Sequence, residues 1–572
     1  MHKLFRFWAF VVAFSLLATS AGQLPAQADD GQPEPASSAK PKLVVLVVFD
    51  QMRADYLARW YDQFGEGGFR RMLEHGAWFD NCNYPYALTL TGPGHASFLT
   101  GCSGDRHGII GNEWYERGTG EVYCATTSRY ENVPSDASGT SRKISGGGSP
   151  ERLLAPTVGD VLKSSTAGKG RVIAISYKDR AAILPGGHTP DGAYWVDSGT
   201  GRFVTSTYCR ETLPDWVRQF NDSRLIDSWF DRPWERLRPD LDYVKLSGPD
   251  DVVGEGSGVK QGRTFPHPMN GGLSKPGRSY YEAVVTSPFG NDLVLAFAKK
   301  AIMAEHLGED EIPDLLSVSF SSNDYIGHSW GPDSQEVMDV TLRSDLIVKQ
   351  LLEFLDEHVG KGRYLVAMSA DHGVCPLPEV AKATHPGAVR VDVAGLISGA
   401  EKALDSAFGA GTQGKARWIE SAANISFVLN RNKIAARGLT QDAVEKVLVG
   451  WLKKHKDVLT AYTHAELLQP AAPDDPIGQR SRKSFNAQRS ADISVVFKPY
   501  HLASPYLTGT THGAPHEYDT HVPLVVYGAS VIPGRRHDAV TPQAITAIFS
   551  HALGIKPPAM AEAPLPEKLL AP

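Results

Sequence analysis

Cysteine is scarce in this chain: 572 residues carry five, Cys82, Cys102, Cys124, Cys209 and Cys375. None stands in the close C-x-x-C spacing of a zinc finger, so the thiols receive no catalytic or metal-binding role. In an exported protein, one or two disulfides with an odd thiol left over are expected from such a set. Long basic runs are also missing, and the formal net charge is −6. That balance argues against nucleic acid as a specific partner. No internal repeat is present. Past the N-terminus, no apolar run reaches the roughly eighteen residues that a membrane span needs, so no stable membrane anchor is predicted. What remains is ordinary for a globular protein, with 42% hydrophobic and 21% charged residues. The length suits one large domain with insertions, or two to three domains.

The N-terminus has a layout of its own. His2, Lys3 and Arg6 precede an apolar run from Phe7 to Ala18, and Ala26-Gln27-Ala28 offers a cleavage site. This reads as a secretory signal peptide over residues 1–28, so a periplasmic or secreted location is expected. No cysteine follows the cleavage site, so no lipid anchor is expected there. Residues 29–41 form a polar, Pro/Ser/Ala-rich leader predicted to be flexible.

Continuous valine-rich runs then recur: Lys42–Phe49, Arg171–Tyr177, Asp314–Phe320, Arg363–Ala370 and Pro523–Gly528. Runs of this kind read as strands buried on both faces. Helical patterns lie between them, at Gly67–His75, Ser149–Ser164 and Ser334–His358. The alternation predicts an α/β fold, with helices on both faces of a mostly parallel central sheet. The expected division is a core in three parts, 42–198, 286–389 and 501–572. An irregular cap at 199–285 and a small α+β lobe at 390–500 interrupt it. Gly/Ser-rich stretches at 138–149 and 252–262 read as surface loops.

In such a sheet, ligands bind at the carboxyl ends of the strands. Asp50 ends the first run. Asp324 and His328 follow the third in SSNDYIGH, and Asp371 and His372 follow the fourth in SADHG. His512 sits in GTTHGAP. Three aspartates and three histidines, divided three per metal, suit two zinc ions that each keep an open position. Two ions roughly 4 Å apart are the usual clamp for in-line displacement at phosphorus. The nucleophile candidate is Thr91, in YALTLTGPGHASFLTG, just before a Gly/Pro turn that opens a helix. That turn, Gly92-Pro93-Gly94, is expected to leave room for a phosphate against the backbone N–H groups that follow.

The order strand-Asp, Thr-G-P-G-H, N-D-Y-x-G-H, A-D-H-G and T-H-G resembles the alkaline phosphatase superfamily. Within it, the chain is similar to the type I phosphodiesterase/nucleotide pyrophosphatase branch, over about 42 to 550. The resemblance implies that Asp324, His328 and His512 hold one zinc. It implies that Asp50, Asp371 and His372 hold the other, with Thr91 as the phosphorylated nucleophile between them. The diesterases of the branch read T-F-P-N-H at the nucleophile, where this chain has Gly92 and Gly94. Lys178 and Arg180, together with Asn112, resemble the phosphate-irrepressible periplasmic alkaline phosphatases, in which such residues contact the non-bridging phosphate oxygens. A monoester carries one more negative oxygen than a diester, and two extra cations favour it.

The reading is therefore an exported zinc-dependent phosphomonoesterase acting on small-molecule phosphate esters. A phosphodiesterase or nucleotide pyrophosphatase on the same site is the first alternative, and a non-catalytic zinc- or phosphate-binding protein the second. A sulfatase is disfavoured because threonine replaces the expected Cys or Ser. Arg53 and Asp55 read as a helix start. His95, His188, His385 and His516 are taken as supporting or surface residues, and Glu113 has no assigned role.

Overall fold

Leu43–Phe49 (β1) is seven apolar residues long, and every one is buried. A strand with no polar face can only sit inside a sheet covered on both sides. The computed structural model describes residues 40–135, 146–409, 417–504 and 506–571. The expected signal peptide, nearly all of the leader and most of the 138–149 loop lie outside the described residues.

β1 lies in a ten-stranded sheet with Ala77–Phe79 (β2), Asn132–Val133 (β3), Val172–Ser176 (β4), Gly192–Asp197 (β5), Arg202–Ser206 (β6), Asp314–Phe320 (β7), Tyr364–Ser369 (β8), Leu524–Gly528 (β9) and Gly534–Arg536 (β10). The spatial order is β10-β2-β9-β8-β1-β7-β4-β5-β6-β3. The centre is parallel: β1 pairs with β7 and β8, β7 with β4, and β4 with β5. β4, β7 and β8 are buried throughout, like β1. Helices pack on them, among them Asp179–Gly186 and Phe289–Ala304 against both β4 and β7. The α/β class with helices on both faces of a mostly parallel sheet is the observed one.

Three local differences have physical causes. β9 runs antiparallel to β8. The Gly373 and Val374 amides donate to the Asp519 and Tyr518 carbonyls at 2.7 and 2.9 Å. The chain thus re-enters the sheet from the end at which β8 leaves it. The helix expected over Ser149–Ser164 begins only at Val158. Pro150 and Pro156 precede it, and Thr157 and Asp160 close a reciprocal capping box that fixes the start. β6, at the front of the 199–285 stretch, joins the main sheet beside β5.

The 390–500 stretch has a separate apolar cluster, including Leu404, Trp418, Phe427, Leu448 and Ile493. Its two-stranded ribbon pairs Val458–Thr463 with Ile493–Phe497. All five cysteines are unpaired, which corrects the disulfide expectation. Cys82 belongs to the core around the sheet, whereas Cys124 and Cys209 pack in a second apolar cluster. Burial pushes the Cys124 thiol up to about 12 and Cys102 up to about 11, so they act as small apolar fillers.

Leu46 is fully buried at the middle of β1. Leu46→Ala should cost about 2–5 kcal/mol, through lost burial and the cavity left behind. Denaturant unfolding followed by tryptophan fluorescence checks this, and an unchanged midpoint would contradict the central place given to β1.

Candidate active site

Register carries the acidic residues together. Val48 of β1 faces Ser369 of β8, so Asp50 and Asp371, two residues on in each strand, emerge side by side. Both are fully buried. Asp324 and His328 come from the helix Ser322–Trp330 that follows β7. Their i, i+4 spacing sets them on one face, with His328 Nε2 3.2 Å from Asp324 Oδ1. His512 Nε2 reaches the same oxygen at 3.6 Å, and its ring stacks on His372 at 3.4 Å. His372 Nε2 is 3.6 Å from Asp50 Oδ1 and 3.4 Å from Asp371 Oδ2.

Two sets of potential ligand atoms converge within 4.8 Å: Asp50 with Asp371 and His372, and Asp324 with His372 and His512. His372 thus borders both sets, while His328 attaches to the second through Asp324. Asp50 Oδ1 is buried with no hydrogen-bond partner among the described residues, and Asp371 Oδ2 is faced by the ring nitrogens of His95 and His372. A buried carboxylate oxygen without a donor, grouped with imidazoles and further carboxylates, is what a divalent cation needs. Burial, then the neighbouring His372 and His328, hold His512 well below the ordinary histidine range, and burial lowers His372 too, whereas His328 is raised, its burial outweighed by the adjacent Asp324. His512 Nδ1 donates to the Thr89 carbonyl at 2.7 Å, which leaves Nε2 free to ligate.

The carboxylates respond differently to the same burial. Burial and the neighbouring Asp371 push Asp50 well up, with Lys178 opposing. For Asp324 and Asp371, burial is outweighed, and both are held well below the usual range. His328 and Lys178 act on Asp324, and His372 and His95 on Asp371. Lys178 Nζ bridges Asp50 Oδ2 at 2.6 Å and Asp324 Oδ2 at 2.5 Å, linking the two sets. Arg180 Nη2 donates to Thr91 Oγ1 at 3.3 Å, and Nη1 to the Tyr123 hydroxyl at 3.2 Å.

Thr91 is the first residue of the helix Thr91–Thr100, whose ten residues are all buried. Its hydroxyl lies 3.4 Å from His372 Nε2. The expected cradle of backbone N–H groups is absent. The Gly92 N–H donates to Asn112 Oδ1 at 2.8 Å, Pro93 has none, and the Gly94 N–H donates to the Leu90 carbonyl at 2.9 Å. The glycines serve close approach instead. A Cβ at Gly94 would stand 2.4 Å from the Asp371 carbonyl oxygen, and one at Gly92 3.2 Å from Asn112 Oδ1. Because Asn112 Oδ1 is committed to an N–H donor, its amide nitrogen is the atom left for an anion.

Three further residues support the site. Gln51, in the left-handed region at φ 69, donates its N–H to Asp371 Oδ1 at 3.1 Å and Nε2 to Asp324 Oδ1 at 2.7 Å. Its adjacency to Asp50 was the one available signal. His95 has Nδ1 3.0 Å from the Thr91 carbonyl and 3.2 Å from Asp371 Oδ2, while Nε2 meets Ser319 Oγ at 2.8 Å. With two acceptors facing it, Nδ1 carries the proton. Asp519 is fully buried and accepts from the Gly513 and Ala514 amides at 2.9 and 2.7 Å and from Thr89 Oγ1 at 3.4 Å. It clamps the loop that presents His512. The remaining candidates lie elsewhere: Arg53 pairs with Asp55, His188 with Asp160, His385 stacks on Tyr500, and His516 meets the Phe497 carbonyl.

The sheet and the paired carboxylate–histidine sets at its strand ends define the alkaline-phosphatase fold. A crystal structure of wild-type alkaline phosphatase PafA superposes with a TM-score of 0.85 at 36% identity, over 93% of this chain and 99% of that one. The sequence profile of the type I phosphodiesterase / nucleotide pyrophosphatase family matches residues 44–519, and the chain belongs to that family. It is 37% identical over 516 residues to alkaline phosphatase PafA of Elizabethkingia meningoseptica, covering 90% of each. Identity to alkaline phosphatase PhoV of Synechococcus elongatus is 35% over 530 residues, covering 92% of each. Among the described residues, no helix is long and apolar enough to cross a membrane.

Asp519→Ala should weaken metal retention by about 10- to 100-fold, the usual cost of losing a group that orients a ligand. Asp519→Asn, which keeps an acceptor oxygen, should lose less. Competition against a chelator measures both, and equal retention in all three proteins would remove Asp519 from the site.

Proposed function

We propose that this chain is an exported alkaline phosphatase that hydrolyses phosphate monoesters through a phospho-threonine at Thr91, with two zinc ions per chain. The observation that carries the reading is Arg180 on the Thr91 hydroxyl, with Lys178 beside it between Asp50 and Asp324. Two cations buried at a nucleophile suit a substrate with two ionised oxygens. The relatives named alkaline phosphatase support the same activity. The export assignment rests on the N-terminal pattern of residues 1–28.

Asp324, His328 and His512 would hold one ion, and Asp50, Asp371, His372 and Thr91 the other. Bound there, the metals supply the Lewis acidity that ionises the threonine and stabilises the departing oxygen. The chain's own residues do the rest. Arg180 orients Thr91 Oγ1 and pairs with a non-bridging phosphoryl oxygen. Lys178 supplies a second positive charge, and the Asn112 amide nitrogen a neutral donor. Thr91 Oγ1 attacks phosphorus, the alcohol leaves, and water then cleaves the phospho-threonine to release phosphate and restore the hydroxyl. The backbone after Thr91 has no free N–H to give, so these three side chains carry anion recognition.

The family description supports a diesterase as the second reading on the same metal sets. Hydrolysis of nitrophenyl phosphate and bis-nitrophenyl phosphate separates the two. Monoester turnover should dominate, vanish with chelator, return with zinc, and fall on the order of 10³-fold or more in Thr91→Ala. Lys178→Ala and Arg180→Ala should each cost the monoester about 10- to 100-fold, the worth of one charge-assisted hydrogen bond. The diester should lose less. Dominant diester turnover would overturn the monoesterase reading and keep the metal site. No metal-dependent turnover of either ester would overturn the enzyme.

A further inference from the structure

A cleft of about 440 Å³ runs between the sheet-bearing body and the 390–500 lobe. It shares a wall with the candidate active site. Leu90, which precedes Thr91, and Thr511, His512 and Gly513 all line it. Across from them the lining is aromatic and aliphatic, with Trp114, Phe485, Phe497, Val428 and Val495. The volume falls in the range of small-molecule pockets, and it is large enough for one or two rings.

The basic side chains around the cleft already have hydrogen-bond partners. Arg489 donates Nη1 to the Gly108 and Arg152 carbonyls, at 2.6 Å each, and lies over the Trp114 ring. Lys498 Nζ donates to the Lys456 carbonyl at 2.6 Å, and His501 Nδ1 meets Asp457 at 3.1 Å. Asp519 Oδ2 accepts from the Gly513 and Ala514 amides, and Oδ1 has no hydrogen-bond partner among the described residues. A polyanionic group, such as a nucleotide's further phosphates, would have to draw Arg489 and Lys498 off the carbonyls that hold them. A flat apolar group would meet rings and methyls and displace water from them.

We propose that this cleft receives the alcohol portion of the ester, and that the chain selects monoesters of flat, largely apolar alcohols. The inference rests on the phosphatase reading above. It gives the 390–500 lobe a specificity role: Phe497, Val428 and Val495 form a surface that a small or highly charged alcohol cannot use.

Ethyl phosphate and 2-phenylethyl phosphate test this, because both have alkyl leaving groups of similar intrinsic reactivity. The intact enzyme should turn over the phenylethyl ester with a kcat/KM about 10- to 100-fold higher, the gain from burying one ring. Ala491→Trp and Ser494→Trp would each fill the cleft from partly exposed lobe positions. Each should remove most of that preference and leave ethyl phosphate within about threefold, which also shows that the variant is folded. Equal kcat/KM for the two esters in the intact enzyme, or equal losses on both esters in the variants, would overturn the cleft assignment while the phosphatase reading stands. Absence of turnover on both esters would overturn the phosphatase reading and the cleft with it.

Discussion

Three carboxylates with almost no exposure stand in one small volume, and the rest of the structure answers to their mutual repulsion. Two like charges about 4 Å apart repel by about 4 kcal/mol even at an effective dielectric near 20. Asp50, Asp324 and Asp371 cannot all remain ionised there without positive charge between them. Lys178, reaching two of them at once, is the chain's own answer. The parallel centre of the sheet exists at this end to deliver the acids, and the helix with Thr91 brings a hydroxyl to their edge. Gln51 and His95 then hold the carboxylates with N–H donors, and Asp519 holds the His512 loop by accepting from its amides. A packing change at any of these points would be felt as a change in charge balance.

Much of this could be read from sequence, because the strong signals were local. Valine-rich runs marked the central strands, and acids and histidines just past their ends marked the site. The i, i+4 pair of Asp324 and His328 needed only a helix to become adjacent. What could not be read was long-range. The antiparallel entry of β9 follows from the Gly373–Asp519 hydrogen bonds, which join residues far apart in the chain. The clamp by Asp519 is equally silent in sequence, since nothing in H-E-Y-D-T distinguishes it from a helix-starting acid. The disulfide expectation failed because exported location says nothing about where thiols pack.

The Gly92-Pro93-Gly94 turn shows how a motif can be located correctly and given the wrong duty. Helix starts commonly offer N–H groups to anions. Here those groups are consumed by Asn112 and Leu90, and the glycines instead admit Asp371 and Asn112 to within a few ångströms of the backbone. Charge recognition is thereby moved from main chain to side chains. Side chains can be exchanged one at a time without disturbing the helix that begins at Thr91.

The five unpaired cysteines have a practical side. No covalent cross-link contributes to this fold, and four of the five thiols are fully enclosed. Maturation therefore makes no demand on an oxidising folding environment or on disulfide isomerases. The chain made in a reducing cytosol should reach the same structure. Packing and hydrogen bonds, without covalent staples, hold the fold together.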